Sequence, residues 1–529
     1  MPVTTIPLVG GMTARGFAKT IGTSAKDQQY INCLFETAIN PALGKKAIYV
    51  VKRPGSTTGS SIGATCYALA SYSTYFTGMS CTATALFRGT TNLGTIAAAV
   101  TELYLSDTVM SAQEVICFGA GGSAAYFCFQ DAVTTNFPNF TGDTHTNTVI
   151  DNITSTTGLY VGQAISGTGI QAGTRIATIT SSTAITTTLA TTATNAGVTI
   201  TKEAIAKIID ADFPTQNINS VTAMNGYMFT ATNDKIYNCP INTPWLLTAA
   251  DYISSDYAGD NIGALYKYGD YIIAAGANSI QYFQLTGNSS GSVLSAVRAL
   301  NKQTDISIVR PRFVGGAGYS LAFGTDSGYS ILKMSSATDF STVSDPVVGG
   351  VFGANGPTSY GTVTITGDKK LFMPCDGNST QSVAYDDSTK MCSIYKMDAN
   401  ILSSFGTSFT KSGATTLFTW AAGNTWTDST VAYTMTIQTE PFVLNDGKPF
   451  IINSVELIGD TQASGTTTFS TSGDDYASFV TREPFNMTET NKVSRRCGYY
   501  RNHAILKLEH SANTAFRAQA VKVNWEPAG

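Results

Sequence analysis

Paired acids and histidines are where this chain could hold catalytic chemistry. Asp386-Asp387 and Asp474-Asp475 are adjacent carboxylates, and the histidines are His145, His503 and His510. Two carboxyls flanking a glycosidic bond can hydrolyse it as acid and base or nucleophile. Both pairs, however, sit among Gly, Ser and Thr, the composition of turns with solvated acids. A Ser-His-Asp triad is left open by the sequence, but no G-x-S-x-G elbow followed by a helix supports one. With no P-loop, a packaging motor is excluded. Gly119-Ala120-Gly121-Gly122 resembles part of a dinucleotide fingerprint. It runs into the β-like Tyr126-Phe127-Cys128-Phe129 rather than a helix, so it reads as a hairpin turn. Nine scattered cysteines without a C-x-x-C pair, and three histidines, argue against zinc and for small buried hydrophobes in a reducing compartment. These residues point to no enzyme, cofactor or metal.

The densest basic patch is Lys492, Arg495, Arg496 and Arg501, with Lys507 beyond it and Tyr499-Tyr500 inside it. Arginines interleaved with aromatics can contact nucleic acid. Glu483, Glu489 and Glu509 lie close in sequence, which favours a salt-bridged β surface or a subunit seam.

Composition narrows the class. At 529 residues the chain exceeds one core's size, so several domains are expected. Only 13% of residues are charged, so Thr, Ser, Asn and Gly must carry the surface, which suits all-β architecture and extensive subunit contact. The net charge of −4 lacks the basic balance of a sequence-reading nucleic-acid binder. Met1-Pro2-Val3-Thr4-Thr5 shows no basic and apolar leader, and no run of 18 apolar residues could span a membrane.

Four stretches read as copies of one unit: Val221–Asn238, Leu265–Phe283, Arg312–Lys333 and Thr362–Tyr385. Each is strand, Gly turn, apolar strand, polar turn, strand, an antiparallel meander. The turn glycines Gly226, Gly269, Gly318 and Gly367 give steps of 269 − 226 = 43, 318 − 269 = 49 and 367 − 318 = 49 residues. A period in the forties made of short strands marks a β-propeller blade, a long β-sandwich being the alternative. Phe76–Ile96 and Glu102–Asp131 look like two further meanders, making about six blades.

The remaining chain is organised around these. Residues 1–62 have no clean periodicity and read as an N-terminal extended arm; 63–138 hold the first blades and 204–400 the remaining ones. Between them, 139–203 form an inserted Thr/Gly-rich, β-sandwich-like module. Nineteen of the sixty residues 141–200 are Thr, and Asp143, Asp151 and Arg175 are its charges. Ala204–Ile209 is a short helical candidate. Residues 401–529 make a C-terminal β domain, with Asn445-Asp446-Gly447 predicting a hairpin into Phe450–Ile458.

The insert resembles Thr/Gly-rich β modules of phage virion proteins through G-x-x-V-G-x-x-I-x-G-x-G-I-x-A-G-T-x-I. Gln29-Tyr30-Ile31-Asn32 and Arg53-Pro54-Gly55, with Glu440, Gly447, Glu456, Arg495, Arg496, Gly498 and Arg501, are similar to the tail nozzle, or packaged-DNA stabilisation, proteins of short-tailed phages. The resemblance implies a β-propeller protomer in a homohexameric ring below the portal and adaptor. It also implies neighbouring fibre, spike or needle proteins, transient contact with genomic DNA, and a place in the virion tail after synthesis in the host cytoplasm. A tail-associated carbohydrate-binding or depolymerising β protein remains the alternative.

Overall fold

The computed structural model describes residues 2–9, 29–39, 46–70, 75–96, 104–119, 122–134, 139–257, 259–288, 291–303, 391–399, 401–411, 413–421 and 425–528. Between 304 and 390 it describes 314–317, 320–324, 331–334, 340–342, 359–364, 370–375, 381–386 and 389. The described chain is all-β, with one helical turn at Gln130–Thr134 and two short 3-10 turns. It divides into two compact units: 60–312 with 414–416, and 1–59 with 313–413 and 417–529.

The first of these units holds four antiparallel sheets of blade size. Cys66–Ala70, Met79–Thr82, Ala85–Arg88 and Thr91–Thr95 form one. Tyr104–Met110, Gln113–Gly119 and Ala125–Phe129 begin the next, with the antiparallel hairpin predicted across Gly119–Gly122, of which 120 and 121 lie outside the described residues. Ser220–Met224, Tyr227–Ala231, Lys235–Asn238 and Tyr252–Ser254 form the third. Ala264–Tyr268, Tyr271–Ala275, Ser279–Leu285 and Leu294–Ala296 form the fourth, with Lys302–Gln303 alongside. Asn225 and Gly226 both have positive φ, 50° and 85°, as a tight Asn-Gly hairpin turn requires.

Some of the strands inside these sheets do not alternate. Ser220–Met224 and Ala125–Phe129 are buried at every position because both of their faces are covered. Phe118, Tyr126 and Ile205 pack with Phe76, Met79 and Leu86 between the first and second sheets. Phe127 and Val115 meet Val221 and Met228 between the second and third. Phe229 and Ile236 meet Ile272 and Phe283 between the third and fourth. Each fully buried side chain of this size contributes about 1.5–3 kcal/mol, so sheets too small to fold alone stabilise one another face to face. Gly119 permits one close approach, since a Cβ there would lie 2.8 Å from Val221 Cγ2. This is the blade packing of a β-propeller.

The Thr-rich stretch enters the second sheet between its third and fourth strands. Asn139–His145, Val149–Asp151, Gln163–Gly167, Ile176–Ser181 and Ala184–Thr187 surround a core of Phe140, Ile150, Leu159, Ile165, Ile176, Ile185 and Ile200. The long strand Thr194–Lys207 then serves both parts. Its first half pairs with Asn139–His145, and its end completes the second sheet through Tyr126↔Lys207 and Phe127↔Ala206. The helix expected at Ala204–Ile209 is therefore strand through Lys207. Its Ala and Lys residues favour helix in isolation, but burial of Ala204, Ile205 and Ala206 in the open fourth position overrides that preference. No linker separates insert from blade at this end.

The second unit contains Val314–Ala317, Ser320–Gly324, Ile331–Met334 and Phe340–Thr342 as one four-stranded meander. Ser359–Thr364, Lys370–Cys375, Gln381–Asp386 and Met391–Lys396 form another. The turn glycines Gly318 and Gly367 lie outside the described residues. Gln29–Ile31 adds to Met391–Lys396 in parallel, then pairs with Met435–Gln438, which leads to Ile505–His510 and Thr466–Ser472. A separate sheet runs Cys33–Ile39, Lys46–Lys52, Arg517–Pro527, Phe450–Gly459, Lys492–Tyr500, with Val3–Pro7 also on Arg517–Pro527. Leu8, Phe35, Val50, Ile437, Phe450, Val455, Leu508 and Val523 share the core of this unit.

Two expectations change here. The described residues before Ser60 are not a free arm; they supply strands to two sheets whose other strands come mostly from the C-terminal part. The absence of periodicity reflects partners hundreds of residues away, as in Val50↔Ala518. Nor does Asn445-Asp446-Gly447 close a hairpin. All three have positive φ (53°, 52°, 78°), but the strands on either side, Met435–Gln438 and Phe450–Gly459, belong to different sheets. The turn chemistry was legible, while the pairing was decided by distant strands.

Candidate functional site

Most of the described residues that could have done acid–base chemistry are engaged in structure, His503 Nε2 being buried without a hydrogen-bond partner. Asp474 accepts hydrogen bonds from the Ser478 hydroxyl, from Ser472 Oγ at 2.7 Å and from Ser478 N–H at 2.9 Å. These bonds hold its carboxyl down at about 2, an exposed turn cap rather than a proton donor. Asp475 has φ 56° in the same turn. Asp386 is buried within its strand, and Asp387 lies outside the described residues. His145 Nε2 meets Asp151 Oδ1 at 2.7 Å inside the Thr-rich module. His510 is fully buried between the hydroxyls of Thr467 and Thr514, each at 3.0 Å. The described residues contain no group of three or more His, Cys, Asp or Glu arranged to hold a metal. Seven described cysteines are buried and stand outside any disulfide among the described residues.

Two motifs separated in sequence converge on one buried cation. Asn32 adopts φ 56° between the strands Gln29–Ile31 and Cys33–Ile39, and so splits one run of chain between two sheets. Its Oδ1 accepts from Arg53 Nε at 2.9 Å and from Lys396 N at 3.0 Å, and its Nδ2 donates to Thr434 O at 2.8 Å. Arg53, 0% exposed, grips Asp428 with a two-pronged pair at 3.0 and 2.6 Å. Burial opposes its charge, but Asp428 outweighs that and holds the guanidinium above its ordinary range. The Tyr433 ring lies 3.9 Å from the guanidinium carbon, with Tyr395 and Trp420 at 5.3 and 5.4 Å, and Tyr433 OH donates to the Arg53 carbonyl. Gly55 is demanded locally, because a Cβ there would run into the Thr427 carbonyl. Lys52 beside it is also buried, donating to Ala512 O at 2.7 Å, with burial and then the Arg53 charge lowering it to about 8. The Arg-Pro-Gly and Tyr-Ile-Asn residues thus form one knot tying N-terminal strands to C-terminal ones. Sequence reading had both motifs and could not see that Asp428 joins them.

The basic patch divides differently. Lys492 is 0% exposed and donates inward to Gly459 O at 3.0 Å, so it leaves the surface cluster. Pairing of Phe450–Gly459 with Lys492–Tyr500 slips between Ile452 and Ser454, where Arg496 takes φ 56°. This bulge leaves both Arg495 and Arg496 exposed, with Arg501 just beyond the strand and Tyr499 56% exposed. Gly498 takes φ 113°, a conformation L side chains rarely adopt, and a Cβ there would have to displace the Arg482 Nη2 end. The nearby acids do not neutralise these arginines. Glu483 accepts the backbone N–H of Arg495 at 3.1 Å, Glu489 the Asn486 amide at 3.0 Å, and Glu509 pairs with Lys507 at 2.9 Å. Of the expected salt-bridged surface the Lys507–Glu509 pair is present, while Arg495, Arg496 and Arg501 lie outside any ion pair among the described residues. Of the other C-terminal residues, Glu456 pairs with Lys522 at 3.4 Å, while burial raises Glu440.

A family model described as "Phage_stabilise: Bacteriophage P22 Gp10, beta-propeller" matches residues 134–304. That span covers the insert and the third and fourth sheets, and the match supports a phage structural protein of the tail. No curated protein matches the chain. Among solved structures, the dihydro-heme d1 dehydrogenase NirN is similar at 8% identity and TM-score 0.34, covering 79% of this chain and 72% of its own. An exo-β-1,3-galactanase from Phanerochaete chrysosporium is similar at 12% identity and TM-score 0.24, covering 69% and 96%. A family 43 arabinoxylan arabinofuranohydrolase from Bacillus subtilis is similar at 9% identity and TM-score 0.22, covering 80% and 95%. At these scores the three carry no argument about this chain.

Proposed function

We propose that this chain is the tail nozzle protein of a short-tailed phage, a homohexameric ring that extends the portal and adaptor channel, retains packaged DNA and conducts it during ejection. The observation that carries this reading is the match of residues 134–304 to a phage tail propeller family. The role is structural rather than catalytic: the carboxylates that could have hydrolysed a glycan are a turn cap at Asp474 and a buried strand residue at Asp386. Partners are copies of itself, the portal and adaptor above, fibre, spike or needle proteins beside or below, and DNA in passing.

Charge suits such a conduit. Each Lys or Arg contact to phosphate adds salt-sensitive affinity, so a channel that must release DNA uses few. Six copies carry a net 6 × (−4) = −24, and the duplex meets weak repulsion over most of the ring. Retention then falls to loops or to a partner acting as a physical gate. Native mass spectrometry of the purified protein and electron microscopy of virions test the reading. A closed ring of six in the tail is expected, and a strict monomer in both would overturn it.

A further inference from the structure

We propose that the outward face of the strand Lys492–Tyr500, with Arg501, is a contact site for the phosphodiester backbone of DNA, carried by Arg495, Arg496 and Arg501 and flanked by Tyr499. The strand is the last in its sheet order, and on its free side Glu483 accepts the Arg495 N–H, so the arginine side chains rather than the strand edge are what a partner meets. The bulge at Arg496 turns two consecutive arginines outward, where regular alternation would bury one. From Arg496 to Arg501 an extended chain of five residues advances at most about 16.5 Å at about 3.3 Å per residue, close to the axial rise of five phosphate steps along one DNA strand. Glu489 and Glu509 are held elsewhere, and Glu483 binds the backbone N–H of Arg495 rather than a guanidinium. A guanidinium without a carboxylate is a planar fork suited to a phosphate oxyanion. The exposed Tyr499 ring adds a surface against which a sugar or base can lie.

Edge arginines also deter strand pairing, which would need no ligand. A line of one sign with an aromatic inside it fits a polyanion better. This inference rests on the proposed conduit role, but the two fail separately: a missing ring overturns the conduit, whereas the contact site is read from salt dependence.

The test is fluorescence anisotropy of labelled, mixed-sequence duplex DNA with the full-length protein across a salt series. R495Q/R496Q/R501Q is expected to flatten the slope of log K against log salt by about 0.9 per lost contact, about 2.7 in all. R495Q and R501Q alone should each remove about 0.9, which keeps the test valid if the triple variant melts early. Gln at the exposed Lys267 and Lys448 should leave the slope unchanged. A triple variant with the wild-type slope, an equal loss in the Lys267 and Lys448 control, or no binding at low salt would overturn the proposal. So would polyglutamate competing better than unlabelled DNA, which would make the face a protein seam.

Discussion

Arg53 and the trio Arg495, Arg496 and Arg501 are the same residue type under opposite conditions. Arg53 is fully buried, and every direction it can donate in is filled by Asp428, Asn32 or a backbone carbonyl, with aromatic rings around it. The trio is exposed on a bulged edge strand and makes no ion pair within the described residues. Removing water from a guanidinium costs several kcal/mol, so a buried one persists only where its partners are complete. An exposed one needs no partner and is free for a ligand. Arginine in a motif therefore says little until its surroundings are known.

The comparison breaks first at Arg53. Arg53→Met leaves Asp428 buried without its counter-charge, and should cost about 3–5 kcal/mol in denaturant unfolding. R53M/D428L should recover a large part of that loss, because two well-packed apolar groups leave no orphan charge. No recovery would mean that the aromatic cage, rather than the ion pair, holds the knot.

His510 sharpens the role of burial. Burial, then the Lys52 charge, lowers it to about 4, below the ordinary histidine value. The unfolded chain thus takes up a proton that the folded chain refuses, and stability should fall as pH drops from about 6.5 towards 4. The loss should reach about 2–3 kcal/mol, against a flatter profile in His510→Gln.

Lys202 is a buried cation without a carboxylate hydrogen-bonded to it. Its ammonium donates to the Gly158 carbonyl, and burial, partly offset by Cys128 and Asp131, lowers it to about 8. Because the folded value is depressed, the unfolded chain holds more protons between about 8 and 10.5, so stability should rise with pH across that window. Lys202→Met should remove its share of that rise, leaving a flatter stability profile between about pH 8 and 10.5, measured by denaturant unfolding. The smallest effect is expected at the exposed face: R495Q/R496Q/R501Q should move unfolding by less than about 0.5 kcal/mol per site while changing the salt slope.

Local chemistry settled much of this molecule. The Asn225-Gly226 turn, the short apolar strands around it and their spacing gave the meanders, because turn type and two-residue alternation act over a few residues. The shift to Thr and Gly after residue 138 falls where strands with a core of their own begin, since composition also reads locally. What tertiary structure decided is where strands went. Ala204–Lys207 is strand because the second sheet lacked its fourth member, and Asn445-Asp446-Gly447 joins two sheets because partners across the chain outcompeted the neighbouring strand. Arg53 and Asp428 meet for the same reason: 375 residues separate them, and only closing both sheets of that unit brings them within 2.6 Å. Sequence carries propensity at short range, whereas register, burial and the partner of a charge depend on contacts that exist only once the chain has folded.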